Sequence, residues 1–255
     1  MKHKPTFLNQ NKPLITCMVQ AKNPNDMINL IRNAAYDGAD AFGFQMEQLE
    51  AQYHNEETVK MLFDAMGNRP IYATYYRGAT NTGKSEEEIA AGYLWLLEHG
   101  ATLIDVIGDL YCPTKYEITR DPVAVEKQKR LIEEIHARGG EVLMSSHTLT
   151  FMSSEEILSI AKEHQARGAD ISKIVSAANS EEEELENLKT AALLRRELNI
   201  PFLFLCGGTH TKLLRTIGPM LGSCMWLTVQ SHDACSTKHQ PVCRAIRAIA
   251  DHFDY

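Results

Sequence analysis

The chain has 255 residues, 44% of them hydrophobic and 23% charged, with a formal net charge of −7. This composition supports a substantial core and excludes a disordered chain, while the acidic balance and the lack of a long Lys/Arg block exclude nucleic acid as a partner. No apolar run approaches the ~18 residues of a membrane span, Met1-Lys-His-Lys-Pro is not followed by a signal-peptide stretch, and six cysteines lie scattered without a paired framework, so a cytoplasmic chain with reduced thiols and no membrane association is expected.

In chain order, a strand near Leu14–Val19 leads to a helix near Pro24–Tyr36 opened by Asn25-Asp26, and Tyr36-Asp37-Gly38-Ala39-Asp40 turns that helix into a strand near Ala41–Gln45. A helix near Glu56–Met66, a strand near Ile71–Tyr75 and a helix near Glu86–Glu98 follow, the last opened by Ser85-Glu-Glu-Glu. The same helix-to-strand phrase recurs at Glu98-His99-Gly100-Ala101, Ala137-Arg138-Gly139-Gly140 and Ala166-Arg167-Gly168-Ala169-Asp170, as expected where a helix ends on a left-handed glycine. These joints frame strands near Leu103–Ile107, Glu141–Ser145 and Ile171–Val175 and helices near Val123–Ala137, Ser154–Ala166 and Glu181–Leu198. Strands near Phe202–Cys206 and Cys224–Val229, with helices near Lys212–Met220 and Val242–Phe253, complete the alternation. The acidic run Glu181–Glu184 is read as a solvated first helical turn. Eight strand–helix units predict parallel strands closed into a single α/β domain over residues 1–255, a (β/α)8 TIM barrel; a doubly wound sheet would need a Gly-rich loop after the first strand, where Gln20-Ala-Lys-Asn-Pro-Asn has none.

Functional groups of such barrels lie at the C-terminal ends of the strands, where Gln45, Glu47, Tyr76, Arg77, His147 and Lys173 fall in this parse. Lys173 stands in the apolar run Gly168-Ala-Asp-Ile-Ser-Lys173-Ile-Val, and His147 ends the run Glu141-Val-Leu-Met-Ser-Ser-His147. An amine among apolar residues loses solvation for its charged form and becomes available as a nucleophile for a ketone; a histidine nearby can then remove the adjacent proton and return it to a leaving group. The plainer alternatives are a lysine whose head reaches solvent and a hydrogen-bonded histidine at a strand edge. The loop from Gly108 to Pro122 lies on the same face and is a candidate lid. His232, Cys235, His239 and Cys243 are zinc-type residues close in sequence, but their order fits no common finger and Gln240-Pro241 interrupts them, so no metal is expected.

Met144-Ser-Ser-His147, Ser154-Glu-Glu-Ile and Gly168-Ala-Asp-Ile-Ser-Lys173-Ile together resemble type I 3-dehydroquinate dehydratase, a (β/α)8-barrel family of the shikimate pathway. The resemblance implies that Lys173 forms a Schiff base with the substrate ketone and that His147 is general acid and base during loss of water. Arg215-Thr-Ile-Gly-Pro-Met-Leu-Gly222-Ser223 and Ser236-Thr-Lys-His-Gln240 are similar to the family segments that hold the substrate carboxylate and nearby oxygens, which assigns Arg215, Ser236 and Gln240 to binding; a guanidinium fork suits a carboxylate. Read without the resemblance, Arg215 is a surface helix residue. A small-molecule carboxylate substrate, no cofactor and a homodimer are further implications.

The first half departs from the pattern. Where the family's second strand has Glu-x-Arg, this chain has Gly43-Phe44-Gln45, with Glu47 beyond, so Gln45 is assigned to the substrate. The third strand ends Tyr75-Tyr76-Arg77, and Arg77 takes the family arginine's place only if the strand shifts by one. Exchanged hydroxyl-reading groups imply a changed selectivity. Three functions remain open: a Schiff-base lyase on 3-dehydroquinate or a related carboxylated cyclic ketone, an aldolase-type enzyme on the same barrel, and a non-catalytic metabolite-binding relative.

Overall fold

In the computed structural model, which describes residues 5–253, eight parallel strands alternate with eight α-helices among the described residues. The residues weighed above as a leader, Met1 to Lys4, lie outside them. The strands are β1 (Leu14–Val19), β2 (Ala41–Gln45), β3 (Ile71–Thr74), β4 (Leu103–Ile107), β5 (Glu141–His147), β6 (Ile171–Ala177), β7 (Phe202–Gly207) and β8 (Met225–Thr228). The helices are α1 (Pro24–Tyr36), α2 (Glu56–Met66), α3 (Glu86–Glu98), α4 (Pro122–Ala137), α5 (Ser154–Ala166), α6 (Glu181–Glu197), α7 (Lys212–Ile217) and α8 (Cys243–Ala250). Consecutive strands pair in order, β8 pairs with β1, and β7 meets the approach to β8 through a bridge between Phe202 and Ser223, so the sheet curls into the expected (β/α)8 barrel.

The four glycine joints adopt the left-handed backbone predicted for them, with φ of 91° at Gly38, 118° at Gly100, 77° at Gly139 and 97° at Gly168. Polar caps start the helices: Ser85 with Glu88 and Ser153 with Glu156 form reciprocal capping boxes on α3 and α5, and Ser180 caps α6, whose first turn contains Glu181–Glu184. Each such cap stabilises its helix by ~1 kcal/mol. The first helix is capped by Asn23 with Pro24 in its first turn. Helix α7 is shorter than expected because Pro219 has no amide hydrogen, and the chain tightens into a 3-10 turn over Gly218–Leu221.

Side chains alternate across each strand. One face of the sheet packs Ile15, Phe42, Phe44, Ile104 and Val142 beneath the helices. The other fills the barrel with Leu14, Met18, Tyr72, Leu103, Leu143 and Ile171, and Phe7 joins this cluster. Thr6, Phe7 and Leu8 are held there by the Glu141 carboxylate, which accepts the backbone N–H of Phe7 at 2.8 Å. Gly43 leaves room for Met18 inside: a Cβ there would lie 2.0 Å from Met18 Sδ and 3.3 Å from the Tyr72 ring, so the flexible end of the methionine would have to move. Toward the other end the interior becomes polar, at Asp105, Ser145 and Lys173.

Candidate active site

A pocket of about 450 Å³ opens at the C-terminal end of the barrel, lined by Gln45, Tyr76, His147, Lys173, Arg215 and Gln240 among others. A further cavity of about 500 Å³, lined by residues including Lys12, Arg195 and Cys224, contains none of these groups. Lys173 is the third residue of β6 rather than its end, because β6 runs on to Ala177. Its register partner is Ser145, two residues before His147, so the long lysine stem rises to reach the level of the histidine.

The amine is not surrounded by apolar groups, which corrects the premise drawn from the strand pattern. Lys173 Nζ donates to Tyr76 Oη at 2.7 Å, Tyr72 Oη at 2.9 Å and Asp105 Oδ2 at 3.0 Å. Tyr72 faces inward on β3 and Tyr76 follows two residues past the strand's end, where both hydroxyls meet the amine; alternation turns Asp105 inward from an otherwise apolar β4. Asp105 is fully buried and also accepts hydroxyls from Tyr72, Tyr76 and, at 2.5 Å, Ser145. Burial alone would raise its pKa, but the positive charges of Lys173 and His147 and the hydroxyls of Ser145 and Tyr72 hold it below the ordinary carboxylate value.

His147 closes β5 and is partly buried. Its Nδ1 lies 2.7 Å from Glu117 Oε2, and its backbone N–H donates to the same oxygen at 3.1 Å. With Nδ1 engaged by a carboxylate, Nε2 is the nitrogen left to meet a substrate. Burial would raise the pKa of Glu117, but the hydrogen bond and charge of His147 draw it down. Glu117 comes from the loop expected to be a lid. That loop is pinned: Arg167 Nη1 donates to Gly108 O at 2.7 Å, Gln128 Nε2 to Leu110 O at 2.8 Å and Ser146 Oγ to Glu117 O at 2.7 Å. Glu117 itself has a φ of 48°, an uncommon backbone for a non-glycine residue and one that a surrounding structure must enforce. Beneath the pair, fully buried His164 lies 3.0 Å from both Ser146 Oγ and Ser172 Oγ, linking the neighbours of His147 and Lys173; burial pushes its pKa down to about 3.

Gln45 lines the pocket and bonds Gln20 and, at 3.2 Å, Glu47 Oε1. Glu47 is buried behind it, accepts Thr74 Oγ1 at 3.0 Å, and is pushed by burial up to about 7. Arg77 does not take the place sequence reasoning offered it. Past the end of β3 the chain turns Tyr76 inward, and Arg77 points away into ion pairs with Glu86 and Asp109, each at 2.7 Å. Its guanidinium is committed to anchoring the chain after β3 and lies outside the pocket lining.

Arg215 and Gln240 do enter the pocket, and both are buried. Arg215 Nε donates to Cys206 O at 2.8 Å and Thr211 Oγ1 at 3.0 Å, which aims the rest of the guanidinium, and burial lowers its pKa to about 10. Among the described residues neither Arg215 Nη1 nor Gln240 Oε1 has a hydrogen-bond partner. Ser236 is not brought in: its hydroxyl closes a turn with Asp233, and the next residue, Thr237, lines the pocket and bonds Gln20 at 3.2 Å. His239, weighed only as a zinc-type residue, also lines the pocket, its pKa lowered by burial and by Arg215. Among the described residues no three His, Cys, Asp or Glu side chains gather as metal ligands, and no helix is long and apolar enough to cross a membrane.

Sequence reasoning missed Asp105 and Glu117. Asp105 had a readable signal, a carboxylate inside the apolar run Leu103–Ile107. Glu117 had none, since only the folded loop carries it to His147.

This fold and site define a (β/α)8-barrel enzyme with a lysine amine beneath its mouth and a carboxylate-paired histidine beside it. The family model for type I 3-dehydroquinase matches residues 15–252, and the chain belongs to that family. Solved structures with the same fold include the 3-dehydroquinate dehydratases of Geobacillus kaustophilus (17% identity, 96% of this chain and 93% of that chain, TM-score 0.78) and Enterococcus faecalis (20% identity, 96% of both chains, TM-score 0.74). The type I enzyme of Clostridium difficile, solved with covalently modified comenic acid, is similar over 95% of this chain and 92% of that one, with 18% identity and a TM-score of 0.77. Comparison with curated protein sequences returned no match.

Proposed function

We propose that this protein is a hydro-lyase that dehydrates 3-dehydroquinate, or a closely related carboxylated cyclic ketone, through an imine on Lys173. The observation that carries the reading is that Arg215 presents an unpartnered buried Nη1 to the pocket that also holds Lys173 and His147. A buried donor without a partner costs ~1–3 kcal/mol, and a substrate carboxylate satisfies it with a charge-assisted bond. Gln240 Oε1 accepts from a substrate hydroxyl. Between these anchors and the amine, the ketone meets Lys173, and His147, oriented through Nδ1 by Glu117, removes the proton next to the iminium carbon from its Nε2 side. The same imidazole then protonates the departing hydroxyl, leaving a conjugated enone. Gln45 stands in the segment where the family pattern has charged hydroxyl readers and offers a neutral amide instead, which supports a selectivity shifted from that of relatives.

The test is incubation with 3-dehydroquinate, following enone absorbance. Ultraviolet absorbance should rise, borohydride should trap an adduct on Lys173, and Lys173→Ala should abolish both. Cleavage into two smaller molecules would instead establish aldolase chemistry, and binding without turnover a non-catalytic role.

A further inference from the structure

We propose that Tyr76 is a catalytic residue of imine formation, the phenol that hands a proton to the hydroxyl lost from the carbinolamine. The proposal rests on the reading that Lys173 is the imine-forming amine. The strand pattern puts this tyrosine at the barrel mouth without a role, and the geometry supplies one. Tyr76 lines the pocket, its Oη lies 2.7 Å from Lys173 Nζ, and it donates to Asp105 Oδ2 at 2.5 Å. Its ring meets the His147 ring edge-on, with centroids 5.3 Å apart and an interplanar angle of 89°. One side chain therefore touches the reacting nitrogen, the buried carboxylate and the histidine.

The hydroxyl of a carbinolamine is two bonds from Nζ, so a phenol already bonded to Nζ reaches it with a small shift. His147 is committed elsewhere: its Nδ1 is on Glu117, and its work is at the adjacent carbon. Tyr72 also bonds the amine, at 2.9 Å, but it is fully buried, whereas Tyr76 is the half-buried member of the pair. Burial first, and the Asp105 charge next, keep the Tyr76 phenol protonated far above its ordinary value. Such a phenol can release its proton only if another is returned at once, and Asp105 stands in position to return it.

The protons balance. The Lys173 ammonium gives one proton to Asp105, directly across 3.0 Å, an uphill transfer to a carboxyl held below its ordinary value that is drawn forward as the free amine attacks the ketone carbon. The C–N bond forms, the carbonyl π pair moves to oxygen, and a proton passes from nitrogen to that oxygen, giving the neutral carbinolamine. Tyr76 then protonates the hydroxyl, the C–O bond breaks and water leaves, while the nitrogen lone pair forms the iminium. Asp105 restores the phenolic proton and ends as the carboxylate facing the iminium. In sum, ammonium and ketone become iminium and water.

The experiment measures borohydride trapping of 3-dehydroquinate on Lys173 by mass spectrometry, at saturating ketone, with wild type, Tyr76→Phe and Tyr72→Phe. A positioned acid is worth ~10²- to 10⁴-fold, so Tyr76→Phe should trap at least ~100-fold more slowly, with KM changed by no more than about threefold. Tyr72→Phe should lose under ~10-fold, and heavy water should slow trapping by the wild type. Wild-type-like trapping by Tyr76→Phe, an equal loss in Tyr72→Phe, or no solvent isotope effect on the wild type would each overturn the relay. Absence of the isotope effect would overturn the relay even if Tyr76→Phe does not fold. Failure of the wild type to form any adduct would instead remove the imine reading itself.

Discussion

Replacing Asp105 with Asn strips the Lys173 ammonium of its counter-charge while keeping the shape of the side chain. The two groups are 3.0 Å apart, with side chains 5% and 0% exposed, so little water can compensate. Breaking a buried pair from one side costs ~3–5 kcal/mol, and that is the loss expected for Asp105→Asn in urea unfolding at neutral pH. Lys173→Met should cost less, ~1–3 kcal/mol, because the stranded carboxylate keeps the hydroxyls of Ser145, Tyr72 and Tyr76. The double variant removes both charges, and it should be more stable than the sum of the single losses predicts by at least ~2 kcal/mol. The pair also sets an acid limit. Because Asp105 is held below its unfolded value, its contribution is complete above the unfolded carboxyl pKa of ~3.9 and is lost as pH falls through the folded value. Additivity of the two substitutions within ~0.5 kcal/mol would show that the ion pair is not coupled in solution and would refute the reasoning.

Glu47 titrates in the opposite sense: its folded pKa, raised to about 7, exceeds the unfolded value of ~4.3, so the stability it contributes is present below pH ~4 and is lost as pH rises through 7. Glu47→Gln should therefore gain on the wild type between pH 5 and pH 8 in urea midpoint; parallel midpoints across that range would place the ionised carboxylate in a better solvated site. Arg215→Ala should raise KM for the carboxylated ketone by about 10- to 100-fold, the equivalent of one charge-assisted hydrogen bond, whereas Ser236→Ala, whose hydroxyl serves the Asp233 turn, should leave KM within about twofold. Equal effects from the two substitutions, measured in the same steady-state assay, would mean that the Ser236 loop closes onto the substrate.

The barrel was legible because its signals are local. A left-handed glycine at Gly38, Gly100, Gly139 or Gly168 and a serine with a glutamate three residues on are decided within one turn of chain, and they marked the joints and caps that the structure contains. Element ends were less legible. Strands β5 and β6 run two residues beyond their apolar cores because Ser146, His147, Ser176 and Ala177 still find ladder partners on neighbouring strands, and that pairing is not local information.

The sequence by itself determined which residue types stand where along the alternation, and so placed Lys173, His147 and Gln45 around one barrel mouth, while Arg215 and Gln240 were assigned there only through the family resemblance. Only the tertiary structure decided their company. The turn of chain after β3 put Tyr76 inward and Arg77 outward, the β4 register set Asp105 against the amine, and a loop pinned by Arg167 and Gln128 carried Glu117 to His147. The physical reason is range: backbone conformation responds to neighbours along the chain, whereas charge state and side-chain orientation respond to groups brought near by folding, such as Tyr76, Asp105 and Glu117, which lie 97, 68 and 30 positions from their partners.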